Sequence, residues 1–195
     1  MKPRSRAAAL AAAAASLLLV LALHGGGGGG GRPAVGYAPC LRPEALQALR
    51  EAASRLNLSL EPLPGPPGSA AGLVAYVGDA ASCATRSLAE TVASILSSGG
   101  TVVLVGTPRQ VSWVFKNETR VLMVYPLPAT NSTIIYAVRV TGYRYETATI
   151  GGRATPIRLA VPEIKYRIGL GVDQMVDVLR TILIWQSSTA APRGR

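Results

Sequence analysis

Histidine is nearly absent from this sequence of 195 residues, which contains only His24. Ser-His-Asp and Cys-His catalysis need this side chain as a general base, and many metal sites use it as a ligand. His24 precedes the part of the chain that is predicted to fold. The sequence therefore excludes histidine-dependent catalysis and histidine metal sites from the folded domain.

Acidic residues are also scarce, with 10 Asp+Glu against 20 Lys+Arg and a formal net charge of +10. The acids are scattered, and the nearest two, Asp173 and Asp177, fit the polar side of one helix better than a metal site. Gly169-Leu170-Gly171 fits a turn before that helix better than a dinucleotide fingerprint, since no strand-turn-helix context surrounds it. We expect neither a metal nor a cofactor.

The N-terminal residues 1–24 have the pattern of a membrane-inserting segment. Lys2, Arg4 and Arg6 precede an uncharged apolar run over residues 7–23, which places the N-terminus in the cytoplasm. A helix of this length rises about 26 Å, slightly less than a hydrocarbon core of about 30 Å. We expect a single-pass signal-anchor in the cell membrane, with a cleaved signal peptide and secretion as the alternative.

Residues 25–32 form a glycine-rich stretch that begins with seven consecutive glycines. Glycine loses the most entropy on ordering and offers no side chain for packing, so the pattern predicts a flexible tether. No Lys-Ser/Thr pair follows it, which argues against a phosphate-binding loop.

The chain has three asparagines, and each one begins an N-glycosylation sequon. The acceptors are Asn57, Asn117 and Asn131. Any one sequon can arise by chance, but the complete set favours glycosylation of an exported domain.

Strand and helix periodicities alternate in the first part of the domain. Apolar runs of strand length near residues 72–77 and 101–105 indicate strands buried on both faces. Between them, residues 83–98 have a helical apolar stripe that ends at Gly99-Gly100, a pattern typical of a helix C-cap. Further predicted elements are strands at 33–38 and 58–63 and a helix at 42–56, with a loop at 64–68.

The stretch GLVAYVGDAAS…LAETVASILSSGGTVVLVGTP resembles the middle of flavodoxin-like domains related to class I glutamine amidotransferases. The resemblance covers about residues 33–108 and implies a parallel sheet of order 2-1-3-4, with a ligand crevice at the carboxyl ends of strands 1 and 3. Catalytic relatives use a cysteine with a histidine and a glutamate, so their activity is not expected here. Non-catalytic versions occur in membrane-attached prokaryotic surface proteins and transporter-auxiliary proteins.

After residue 108 the pattern favours antiparallel strands and a final helix. Strands are expected at 120–127, 132–141, 143–150 and 156–161, punctuated by Gly142 and Gly151-Gly152. A core-docking helix is expected at 171–185. The fold class is thus α/β, in one extracytoplasmic domain at 33–186 that is followed by a polar tail at 187–195.

Cys40 and Cys83 follow strands 1 and 3, which are neighbours in the order that the resemblance implies. Adjacent strands lie close enough for a disulfide, and an exported compartment permits oxidation. We expect a structural disulfide; two separate buried thiols and a redox-active pair are the alternatives.

The crevice at the same sheet edge is expected to be lined by Asp79, Ser82, Thr107 and Arg109. Arg109 would hold an anionic group there. The alternative is that Asp79 and Arg109 pair with each other or face solvent.

The charge of the folded domain is only about +4, and the region from Arg139 to Arg167 carries all of that excess. Interleaved tyrosines make it a candidate face for an acidic glycan, a lipid surface or a protein partner; a solvated sheet face is the alternative. The residues expected to form this face are Arg139, Tyr143, Arg144, Arg153 and Arg158. Nucleic acid is not an expected partner, because the domain is predicted to lie outside the cytoplasm.

Together these observations predict a membrane-anchored extracytoplasmic binding or assembly domain without catalysis, held in the membrane through residues 7–23. An auxiliary subunit of a transporter or envelope complex and a thiol-disulfide redox protein are the alternative functions.

Overall fold

The computed structural model describes residues 32–63, 72–117 and 121–189. The chain divides into two units, and the second, residues 33–195, is compact and contains nearly all of the described residues. The predicted membrane segment at 1–24, nearly all of the tether and the predicted loop at 64–68 lie outside the described residues. No helix among the described residues is long and apolar enough to cross a membrane.

The second unit alternates strands and helices before ending in a hairpin and a helix. The strands are β1 (Ala34–Tyr37), β2 (Ser59–Pro62), β3 (Leu73–Asp79), β4 (Thr101–Gly106), β5 (Ile134–Ile150) and β6 (Arg153–Ile168). The helices are α1 (Pro43–Arg55), α2 (Thr85–Ser97), α3 (Pro108–Asn117) and α4 (Val172–Thr189).

The six strands form one mixed sheet in the order β2-β1-β3-β4-β5-β6. β2, β1, β3 and β4 pair in parallel, and β5 and β6 are antiparallel to their neighbours. The predicted α/β class, the parallel order 2-1-3-4, the antiparallel strands and the C-terminal helix are confirmed. The apolar runs of β3 and β4 are almost completely buried, as expected for central strands covered on both faces.

Helices cover both faces of the sheet. α1 packs against α4, and α2 packs against α3. The chain moves from β1 to β2 in one direction across the sheet and from β3 to β4 in the other. Right-handed crossovers therefore place α1 and α2 on opposite faces. The direction changes between β1 and β3, so the carboxyl ends of these two strands border the switch point.

The ends of the first two helices follow from local sequence. Asn57 adopts a left-handed conformation (φ 56°) after α1, and the Leu58 N–H bonds the Ala53 carbonyl at 2.9 Å. Gly99 has φ 79° after α2, where the Gly100 N–H bonds the Ile95 carbonyl at 2.9 Å. Both are Schellman caps, and the predicted cap at Gly99-Gly100 is confirmed.

α3 was not predicted, although its N-terminus has a clear sequence signal. The Gln110 side-chain oxygen accepts from the Thr107 N–H at 2.8 Å, and the Gln110 N–H reaches the Thr107 hydroxyl at 3.4 Å. This is a capping box, with Pro108 at the first helical position.

The strand predicted at 120–127 is only partly formed. Within the described part of this segment, Met123 makes one isolated bridge to Ala160. Val121 and Met123 are buried while Leu122 and Val124 are exposed, so the strand alternation is present. Pro126 and Pro128 lack the N–H groups that a longer ladder would require.

The strands predicted at 132–141 and 143–150 form a single strand, β5, so Gly142 is not a turn. Thr141 is an extra residue between Val140, which pairs with Pro162, and Gly142, which pairs with Val161. This bulge bends the ribbon as it leaves the sheet. Gly151 and Gly152, with φ of 57° and 80°, form the predicted hairpin turn.

α4 continues to Thr189, beyond the predicted domain end at residue 186. Gln186 donates to the Val74 carbonyl at 2.8 Å and so attaches the last turns to β3. The hydroxyls of Ser187 and Ser188 bond the Ile184 carbonyl, so these polar residues extend the helix instead of beginning a tail.

Candidate functional site

Cys40 and Cys83 are joined by a disulfide, which confirms the predicted pairing. Cys40 lies in the loop after β1, Cys83 lies in the loop after β3, and their Cα atoms are 5.2 Å apart. The two strands are adjacent and parallel, with Tyr37 opposite Val77, so both loops leave the sheet side by side. The Ser82 hydroxyl also bonds the Cys40 carbonyl, which holds the two loops together by a second link.

The disulfide forms part of the wall of a cavity of about 200 Å³. The cavity lies at the carboxyl ends of β1 and β3, where folds of this topology bind ligands. Its lining residues are Ala38, Pro39, Cys40, Leu63, Tyr76, Cys83, Ala84, Ser87, Leu88 and Thr91.

Among the described residues that line the cavity, none has a charged side chain. Its polar members are Tyr76, Ser87 and Thr91, and the Thr91 hydroxyl donates to the Ser87 carbonyl at 3.0 Å. Burial raises the pKa of Tyr76 to about 12, so its phenol stays protonated at neutral pH. The cavity therefore offers neutral hydrogen-bonding groups within an apolar surface.

Packing of β3 against α2 forms the inner side of this cavity. A Cβ atom at Gly78 would overlap the Leu88 side chain, so the glycine allows α2 to approach the strand closely. Leu88 itself lines the cavity.

None of the four predicted crevice residues lines this cavity. Asp79 is fully buried and accepts hydrogen bonds from the Arg42 Nε at 2.8 Å and the Ala81 N–H at 2.9 Å. Its ionic partner is therefore Arg42, not Arg109. The pair fixes the start of α1 to the end of β3, because Arg42 is the N-cap residue of that helix.

The other three predicted crevice residues have separate positions. Ser82 is exposed and bonded to the Cys40 carbonyl, and Thr107 caps α3. Arg109 is exposed in the first turn of α3. In the described part of the chain, the side chains of Asp79, Ser82, Thr107 and Arg109 therefore do not lie together as one anion-binding site.

Tyr76, Ser87 and Thr91 were not predicted as cavity residues. Ser87 and Thr91 have a usable signal, since they are four residues apart and hence on one face of a helix that follows a parallel strand. Tyr76 lies in an apolar run, where its hydroxyl is the one side-chain polar group between Leu73 and Val77.

The predicted basic and aromatic face does not form one continuous surface. Arg139 lies against the sheet, with its side chain 11% exposed; it binds Glu163 at 2.7 Å and the Trp185 carbonyl at 2.7 Å. Its guanidinium also lies 5.2 Å from the Trp185 ring centroid. Arg139 therefore connects β5, β6 and α4 and is withdrawn from the proposed contact surface.

The other members of that face lie on the hairpin beyond the sheet. The Arg158 guanidinium stacks on Tyr143 at 3.6 Å from the ring centroid. The register pairs Tyr145 with Arg158, Arg144 with Leu159, and Ile150 with Arg153. Tyr143 and Arg158 thus share one side of the ribbon, while Arg144 and Arg153 share the other.

All three sequon asparagines are exposed. Asn57 follows α1, Asn117 ends α3, and Asn131 lies in the segment before β5. The Asn117 amide donates to the Trp113 carbonyl at 2.8 Å. Each acceptor asparagine is thus on the surface of the domain.

Across the described ranges, no group of three or more His, Cys, Asp or Glu side chains is placed to hold a metal ion.

Comparison with protein-family models and with curated proteins gives no significant match.

Proposed function

We propose that this chain is a membrane-anchored, extracytoplasmic domain that binds a small uncharged ligand, or the side chain of a partner protein, without catalysis. The observation that carries the proposal is the cavity between the loops after β1 and β3. Its position at the switch point is where α/β sheets of this kind bind ligands, and the disulfide holds both loops in place.

The lining of the cavity supports an uncharged ligand. A charged group there would lose its hydration and meet no opposite charge, which costs free energy. An aromatic ligand with one hydroxyl would bury its ring in the cavity, where its hydroxyl could form a hydrogen bond with Thr91, Ser87 or Tyr76.

Phenol and benzoate form a matched pair of probes for this site, because they share a ring and differ in charge at neutral pH. We expect saturation-transfer NMR with the full chain in detergent to show contact with phenol and not with benzoate. Ser87→Trp, at the cavity, should abolish the phenol signal. Arg86→Trp should retain it, since Arg86 lies outside the cavity on the same helix with its side chain 92% exposed. Equal loss in both variants, or no phenol contact at all, would contradict a site in this cavity.

An exported location is supported by the disulfide and by the exposure of all three sequon asparagines. We expect expression in a glycosylating host to give a mass that falls on treatment with peptide N-glycosidase. Asn117→Gln, Asn131→Gln and Ser59→Ala should each remove one increment. A chain of unmodified mass in such a host would argue against export.

Membrane attachment is supported by the basic and apolar pattern over residues 2–23. We expect the full chain to stay in the membrane fraction after extraction with alkaline carbonate. Release into the supernatant with residues 7–23 still attached would contradict the anchor.

A redox function is a second candidate, because Cys40 is exposed and the disulfide borders a cavity. Equilibration with glutathione separates the two functions. A reduction potential below about −300 mV fits a structural bridge, and one near −200 mV fits an exchanging pair.

A further inference from the structure

The hairpin of β5 and β6 extends well beyond the rest of the sheet. β5 pairs with β4 only from Ile134 to Arg139, and from Gly142 to Ile150 it pairs with β6 alone. We call residues 143–158 the arm. Its eight residues from Tyr143 to Ile150 span about 26 Å at the usual rise of a strand.

The arm leaves the domain at the edge where the chain enters it. Arg139 lies opposite Thr101, the first residue of β4, so β5 passes the amino-terminal edge of the parallel strands there. Ala34, the first residue of β1, lies opposite Leu73, the first residue of β3, at that same edge. The chain that arrives from residues 25–32 and the arm therefore share one side of the sheet.

The length of the connecting chain limits how far this edge can lie from an anchored segment. Eight residues, 25–32, extend at most about 29 Å, and a glycine-rich chain of that length has a mean span of about 16 Å. The arm, at about 26 Å, matches the maximum and exceeds the mean. An anchor in residues 7–23 would therefore keep the arm within reach of the bilayer surface.

The chemistry of the arm suits lipid headgroups. Tyr145 is 76% exposed and Tyr143 40% exposed, and tyrosine is enriched at the membrane interface. Arg144, Arg153 and Arg158 are exposed, while Glu146 is the one acid of the arm, within 2.7 Å of Arg144. The arm thus has two more positive than negative charges and aromatic rings beside them.

We propose that the arm rests on the bilayer surface and binds anionic lipid headgroups through Arg158, with Tyr145, which lies on the same side of the ribbon, in the interfacial layer. This inference depends on the proposed membrane anchor. The contact would orient the domain, directing the opposite edge, with the cavity and the disulfide, away from the membrane.

An environment-sensitive fluorophore near the arm tip tests this contact in the full chain. Thr149→Cys supplies an exposed thiol for the nitrobenzoxadiazole label under non-reducing conditions, because the native cysteines are bonded to each other. The labelled chain is reconstituted into vesicles of phosphatidylcholine with or without phosphatidylglycerol. We expect a blue-shifted emission in the anionic vesicles and reversal at high salt, which screens the attraction.

A matched pair of charge variants makes the test specific. One arginine near an anionic surface changes binding about fivefold, so Arg158→Gln should lower the ratio of bound to free arm about fivefold. Arg86→Gln removes the same charge at the other end of the sheet and should leave the emission unchanged.

The outcomes separate the arm from the anchor. If alkaline carbonate releases the chain from the vesicles, the anchor fails and the inference fails with it. If the chain stays embedded and the label has the same emission in both lipids, the arm proposal alone is overturned. A shift that follows the protein-to-lipid ratio and not lipid charge would identify a second copy of the chain as the occupant instead. An emission shift caused by soluble acidic glycan without vesicles would likewise overturn the lipid assignment.

Discussion

Removal of the disulfide between Cys40 and Cys83 should destabilise the domain strongly. The variant that tests this carries Cys40→Ser and Cys83→Ala together. Cys40 is exposed and tolerates a hydroxyl, whereas Cys83 is 8% exposed and a serine there would risk an unbonded polar group. The double variant also leaves no free thiol to form dimers.

The expected magnitude follows from the length of the closed loop. The cysteines are 43 residues apart, and the chain-entropy model gives about 4 kcal/mol for a loop of that size. For the unit at residues 33–195, the unfolding entropy is about 0.34 kcal/mol per kelvin. The loss therefore corresponds to a fall in Tm of about 12 °C.

Urea unfolding of residues 33–195, followed by tryptophan fluorescence, measures the free energy of unfolding and the m-value. These residues form a compact unit with its own core and can be studied without the N-terminal segment. The m-value should increase, because the unfolded chain without the bridge exposes more surface. Ser82→Ala is the control: it removes the hydrogen bond to Cys40 and keeps the bridge, at a cost of about 1 kcal/mol.

A loss below about 1 kcal/mol, with an unchanged m-value, would refute this reasoning. It would mean that the unfolded chain keeps the two loops together without the bridge. A double variant no less stable than Ser82→Ala would have the same meaning.

Three further predictions concern single side chains in the same unit, each measured by urea unfolding. Asp79→Asn should lower the free energy of unfolding by about 2–3 kcal/mol, because it removes the buried carboxylate that accepts from Arg42 and the Ala81 N–H. A loss no larger than that of a substitution at an exposed residue would contradict the ion pair. Thr107→Ala should cost about 1 kcal/mol through loss of the α3 cap, with wild-type stability as the contrary result. Burial raises the pKa of Asp177, but hydrogen bonds and charge from Lys165 and Arg167 outweigh it and lower the pKa below 3.8. Its contribution to stability is therefore complete above that value and lost as the pH falls through the lower folded pKa, so Asp177→Asn should flatten the decline of stability below about pH 4. An unchanged acid profile would show that the ion pairs contribute nothing.

The parallel half of the fold could be predicted because its signals are local. The apolar runs of β3 and β4 and the cap at Gly99 each involve a few neighbouring residues. Once the strand order was assumed, the proximity of Cys40 and Cys83 followed, since adjacent parallel strands end at the same edge.

For the candidate site, the sequence indicated the sheet edge at the carboxyl ends of β1 and β3 but not the side chains that line the cavity there. The partner of Asp79 is Arg42, 37 residues earlier in the chain, and no local pattern distinguishes it from Arg109. The cavity depends on how Leu88 and Tyr76 pack, which a periodicity does not report. The arm was missed because Gly142 has the composition of a turn, while the register with Val161 makes it part of one continuous strand.

The left-handed backbone at Asn57 places two separate demands on one residue. Glycine adopts this conformation most readily, followed by asparagine and aspartate, and of these only asparagine can accept an N-linked glycan. Sequence drift at this position is therefore restricted to these three residue types while the helix cap is kept, and to one while glycosylation is also selected. The usual glutamine replacement would combine loss of the sequon with backbone strain of about 1–2 kcal/mol. Asn57→Gly separates them, since it abolishes the sequon and preserves the turn.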